Sequence, residues 1–204
     1  MSNQLSSHKF ESVYKDLGID VDTLGCIMID VKPSASMMES DSEVKDILYT
    51  SKDPKRKWIN GWVVGDTAHV TLLYGLLGNG HTWKKQVDKV IADWAIKTVE
   101  IDHIDHFESQ YEDEPYYCIV AHIKVSEKLL EGHERLQFLP HIDTFTGYKP
   151  HMTIAYIKKD KKILNETIKW MNDMWQGKTL KVEEGLNYGY KPDEKSKMQK
   201  FFKK

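Results

Sequence analysis

Two short runs of the chain carry the same chemistry-bearing pattern, His69-Val70-Thr71-Leu72 and His151-Met152-Thr153-Ile154. In an extended strand, residues i and i+2 project from one face. Each run would thus present an imidazole beside a hydroxyl, with Val70, Leu72, Met152 and Ile154 on the opposite side. Imidazole titrates close to neutrality, so one ring can take a proton from an attacking oxygen while the other returns one to a leaving oxygen. The threonine hydroxyls can donate to the non-bridging oxygens of a phosphorus, where charge grows in the transition state. The chemistry implied is cleavage of one phosphodiester between His69 and His151, flanked by Thr71 and Thr153, with no metal or cofactor required. One such strand alone carries little weight, because histidine and threonine often serve packing in strands. Two copies in corresponding places carry far more.

The correspondence extends beyond the histidines. Cys26-Ile27-Met28-Ile29-Asp30-Val31-Lys32 and Cys118-Ile119-Val120-Ala121-His122-Ile123-Lys124 share Cys, Ile and Lys in register, and each precedes a His-x-Thr strand. The periodicity predicts strands over 26–32, 62–75, 99–108, 116–125, 148–157 and 178–190. Helices are expected from Thr82, from Ser126 as N-cap to about Leu139, and from Asp160 to Trp175. Two packed halves would bring both imidazoles to one cleft. Tyr74 and Tyr156 each lie five positions after a motif histidine, and simple alternation puts them on the apolar side. The polar stretch between Pro33 and Gly61, with a short helix expected near 42–49, makes the Cys26 to His69 interval ten residues longer than Cys118 to His151. It reads as a surface loop, with a lid over the cleft as the alternative.

Composition narrows the class. The 204 residues suit one compact domain or two packed lobes: a segment 1–24, a domain 25–192 divided near 110, and a basic tail 193–204. The 29 Lys and Arg against 31 Asp and Glu give a net charge of −2, which argues against a protein that coats long polyanions. Two cysteines are too few for a disulfide framework, and no apolar run is long enough to span a bilayer. A soluble, cytoplasmic protein is expected.

Five further residues are candidates for substrate contact. Lys32 and Lys124 end the paired strands on the face opposite the apolar residues and could bind flanking phosphates. Trp62 could stack on a base or pack in the interior, Tyr111 could stack from a hairpin tip, and Glu183 could reach a base edge or ribose. His103 and His106 in His-Ile-Asp-His point to opposite faces of a strand, which disfavours zinc binding by that pair.

The paired His-x-Thr-apolar runs, one per half of a duplicated chain, resemble the signature of the 2H phosphoesterase superfamily over roughly residues 24–190. The resemblance implies an α+β, bilobal fold of two antiparallel sheets around a central cleft, with helices outside and both motifs inside. It also implies metal-independent cleavage of 2',3'-cyclic phosphates or of 2'-5' or 3'-5' linkages. The first strand ending in Val-Lys-Pro and the run His69 to Gly75 are similar to phage anti-CBASS phosphodiesterases. That branch implies a cyclic di- or trinucleotide substrate and the cytoplasm of an infected host. RNA end processing at a 2',3'-cyclic phosphate, and a non-catalytic module that sequesters a nucleotide, are the alternatives.

Overall fold

The computed structural model describes residues 24–189 apart from 66, 67, 79, 110, 144 and 145. Nearly all of the expected N-terminal segment and all of the basic tail lie outside the described residues. The elements run β1 (Gly25–Lys32), α1 (Ala35–Met38), α2 (Asp41–Val44), β2 (His69–Leu76), α3 (Lys84–Val90), β3 (Thr98–Glu108), β4 (Tyr116–Ile123), α4 (Glu127–Leu136), β5 (His151–Lys158), α5 (Lys161–Trp175), β6 (Thr179–Val182) and β7 (Asn187–Gly189).

Local sequence accounts for these boundaries. Ser126 caps α4 by accepting from the Leu129 N–H at 3.2 Å, as its sequence position suggested. Asp160 caps α5 by accepting from Lys162 and Ile163. Leu164, Thr167, Met171 and Trp175 form the buried stripe of α5, at the spacing of one helical face. Ile27, Ile29 and Val31 are the apolar alternates of β1, each at most 4% exposed. Burying an aliphatic side chain of this kind stabilises by about 1.5–3 kcal/mol.

All strands pair antiparallel in the order β2-β1-β6-β3-β4-β5, with β7 also on β1. The α+β architecture is as expected, but the two wings are one continuous path. The four-residue β6 joins them, pairing Val182 with Val31 on one side and Leu180 with Val99 on the other. The single last strand expected over 178–190 is two strands, because a turn with Gly185 at φ +91° intervenes. The strand β3 pairs with β4 although it precedes the expected division near 110, and β6 and β7 return to the first wing.

This order puts the two motif strands at opposite ends of the sheet, and the fold brings those ends back into contact. Each end is covered by the segment that leads into the other motif. Along β5, Tyr49 N–H donates to the Tyr156 carbonyl at 2.8 Å, Tyr156 N–H to Gly61 at 2.8 Å, and Val63 N–H to Ile154 at 3.0 Å. Along β2, Ile142 N–H donates to Gly75 at 2.9 Å and Leu77 N–H to Pro140 at 3.0 Å. The stretch 33–61 is therefore not a lid. It is fastened to the second wing, where Arg56 pairs with Asp113 at 2.9 Å and lies 3.9 Å over the Tyr111 ring, and Ser51 donates to the buried Glu114. A bare edge on β5 would invite pairing with other chains, and this covering removes it.

Candidate active site

The register around the histidines departs from simple alternation in the same way in both wings. On β2, His69 faces Asp30, Val70 faces Ile29 and Thr71 faces Met28; Leu72 is then skipped, and Leu73 and Tyr74 face Ile27 and Cys26. On β5, His151 faces His122, Thr153 faces Val120, Ile154 is skipped, and Tyr156 faces Cys118. The apolar fourth residue of each motif is thus the extra residue of a β-bulge, and a bulge shifts every following side chain to the other face.

Tyr74 and Tyr156 are therefore on the histidine face, not among the core residues where alternation placed them. The second wing shows it directly, since Tyr156 faces Cys118 and is half-buried like His151 and Thr153, whereas Met152, Ile154 and Ala155 are buried. Burial pushes the Cys118 thiol up to about 12, so it is an inert packing group rather than a nucleophile.

The carbonyls at the bulges tie the wings together. Leu72 O accepts from His133 Nδ1 at 2.7 Å, and the adjacent Thr71 O accepts from the Tyr148 hydroxyl at 3.1 Å. His133 and Tyr148 stack at 4.0 Å with their planes 8° apart. Ile154 O accepts from the Val63 and Val64 N–H groups. Each motif is held by the chain just upstream of the other, so the two strands are positioned by one shared set of bonds. The Tyr148 side chain, three residues before His151, is the one that reaches the Thr71 carbonyl.

His151 opens β5, half-buried, with its Nδ1–H donating to the Lys149 carbonyl at 3.0 Å. That bond leaves Nε2 as the nitrogen available for proton transfer. Desolvation lowers its pKa from the ordinary value, so the ring is neutral at pH 7. Phe107 meets it edge-to-face at 5.0 Å, and His122 lies 6.4 Å away, centroid to centroid. His69 opens β2, also half-buried, with Thr71 two residues on along the same face.

The other candidates are placed as follows. Lys32 is exposed at the end of β1, opposite Lys181. Lys124 is exposed and paired with Glu100 at 3.1 Å, at the wall of a depression of about 240 Å³ that no motif residue lines. Glu183 is exposed, and its N–H donates to the Asp30 carbonyl at 2.9 Å, on the far side of Asp30 from His69. Trp62 packs edge-to-face on the fully buried Trp175 at 6.1 Å and bridges to Ala155, which is the packing role rather than a base-stacking one. Arg56 occupies one face of Tyr111.

Three site residues escaped the sequence reading. Asp30 and His122 hold the same position in the duplicated strands, and each sits opposite a motif histidine; that alignment was the available signal. Phe107, 42% exposed, comes from β3 and had no sequence mark.

A fold with paired His-x-Thr strands at the meeting ends of one antiparallel sheet defines a class of phosphodiester-cleaving enzymes. The chain matches the 2'-5' RNA ligase superfamily over residues 46–185, well over half its length, and it belongs to that superfamily of 2H phosphoesterases. Among solved structures it is similar to Usb1 of Kluyveromyces marxianus, at 8% identity and a TM-score of 0.47, covering 84% of this chain and 95% of that one. The same protein with uridine monophosphate aligns at 10% identity and a TM-score of 0.45, covering 84% and 96%. No curated protein sequence matches the chain. No helix among the described residues is long and apolar enough to cross a membrane.

Proposed function

We propose that the chain is a phosphodiesterase acting on small cyclic oligonucleotides, with His69 and His151 as the proton-transfer pair. The observation that supports this most is the reciprocal lacing of the two motif strands, which fixes two imidazole-hydroxyl pairs relative to each other. His151, neutral with its Nε2 available, takes the role of general base, and His69 the role of general acid. Thr71 and Thr153 donate to the non-bridging oxygens. Phe107, beside His151 and partly exposed, offers a face for a base. Lys32, next to Lys181, supplies positive charge for a flanking phosphate.

A net charge of −2 favours a small substrate over long RNA. Cyclic messengers of the kind cleaved by phage anti-CBASS enzymes fit that constraint. Opening of a terminal 2',3'-cyclic phosphate on RNA is the second reading, favoured by the superfamily itself. The test is incubation with cyclic dinucleotides, cyclic trinucleotides, mononucleotide 2',3'-cyclic phosphates and cyclic-phosphate-ended RNA, with products resolved chromatographically. Preferred cleavage of the cyclic oligonucleotides is the expected outcome. Cleavage of the RNA end alone would transfer the assignment to the second reading, and binding without turnover would make the chain a sequestering module.

A further inference from the structure

The strand β3 brings to the same sheet face a set of side chains that the proposed proton transfers do not use. His103 is the direct cross-strand partner of His122, and Asp105 is two residues further on along β3, opposite Val120. Side chains at i and i+2 share a face, so all three project together beside His151. The two imidazoles stack at 4.5 Å with their planes 16° apart, and one nitrogen or oxygen from each of His103, Asp105 and His122 lies within 4.8 Å of the others.

We propose that His103, Asp105 and His122 form a binding site for one divalent transition-metal ion, zinc being the best match. Two imidazoles and one carboxylate on a half-open face leave a position for water or a substrate oxygen, a three-ligand set unlike the closed four-ligand set of structural zinc. Zinc–nitrogen bonds of about 2.0–2.1 Å in tetrahedral geometry put donor atoms roughly 3.3 Å apart, so binding requires the stacked rings to turn about their side-chain torsions until their in-plane lone pairs converge.

The outer groups are already arranged for this. His103 Nδ1 donates to Asp102 Oδ2 at 2.7 Å, which leaves Nε2 for a metal and orients the ring, the carboxylate-histidine pairing common behind metal ligands. Asp105 Oδ1 accepts from the His106 N–H at 2.8 Å and from its ring Nδ1 at 3.0 Å, which leaves Oδ2. His106 itself points to the other face, so the pair His103 and His106 does not bind jointly; the second imidazole comes from β4, 19 residues away in sequence. Such a pair cannot be found from motif spacing.

The site is distinct from the proposed chemistry, which uses no metal, and its test reads binding alone. Full-length protein stripped with chelator is titrated with zinc by calorimetry and with cobalt(II) by visible absorption. One equivalent is expected, with the cobalt spectrum of a low-coordinate nitrogen and oxygen site. His103→Ala and His122→Ala should each weaken binding by about 100-fold, and Asp102→Asn by about 10-fold, the range seen on losing an outer-shell partner. His81→Ala, elsewhere on the surface, should bind as the parent does. Asp105→Asn keeps the shape of the side chain and should also lower affinity, which separates loss of a ligand from loss of fold. No saturable binding at micromolar zinc, or unchanged binding in both His103→Ala and His122→Ala, would overturn the proposal.

Discussion

The bond from His151 Nδ1 to the Lys149 carbonyl and the ring's removal from water act on different properties of the same group. The first selects the tautomer, the second disfavours the charged form. With His151 as base, the acid limb of the kcat/KM profile should fall below the free imidazole value of 6.5, and a limb above it would contradict that role. His122 is shifted down as well, first by burial and then by the neighbouring His103 and His151. For both rings the unfolded chain binds more protons than the folded one between the lowered value and 6.5. Stability should therefore rise with pH through that window, level off above it, and be lost as pH falls. Urea midpoints measured from pH 5 to 8 check the sign. Replacing either His69 or His151 by alanine should lower turnover by about 10²- to 10⁴-fold, the usual worth of a positioned proton-transfer group.

The paired bulges are the element on which the site turns. Period-two alternation found both motif strands, though the first begins at His69 rather than 62 and the chain's last expected strand is split, and it placed Val70 and Met152 in the interior. It failed one step beyond, at Tyr74 and Tyr156, because the extra residue at Leu72 and at Ile154 reverses the alternation just before each tyrosine. Nothing local in Leu72 or Ile154 announces a bulge. The extra residues before His69 were equally plain in the sequence, but not their attachment, since Arg56 finds Asp113 and Tyr111 only across the tertiary fold.

Two outcomes test this scale. Gly75, at φ +95°, is where β2 meets the incoming 140–142 segment, and a Cβ there would overlap the Ile142 carbonyl oxygen. Gly75→Ala should cost about 2 kcal/mol or more in urea unfolding, given the strain of a non-glycine residue at that φ plus the clash. Arg56→Ala should loosen the 52–57 stretch against the β3–β4 turn and speed tryptic cleavage at Lys52, Lys55 and Lys57, while the backbone bonds of Tyr49 and Gly61 to Tyr156 hold its ends.

At the scale of the molecule, the sheet places its two motif strands as far apart in pairing order as it can, then folds so that they meet. The duplication visible in Cys26–Lys32 and Cys118–Lys124 implied two wings with one motif each. It could not show that β6 would join them into one path, because a four-residue strand pairing on both sides leaves no periodicity of its own. Nor could it show that each motif would be anchored by the segment preceding the other. That exchange makes the placement of each motif strand depend on the other wing, so damage to either wing should disturb both histidines.

The most direct measurement is single-turnover cleavage of a cyclic dinucleotide and a cyclic trinucleotide by the parent protein, His69→Ala, His151→Ala and the double variant, each in excess chelator. Chelator-resistant cleavage by the parent is expected, with both single variants deeply impaired and the double variant little worse than the weaker of them, as for groups acting in one proton-transfer event. Full activity in either single variant would contradict the two-imidazole account.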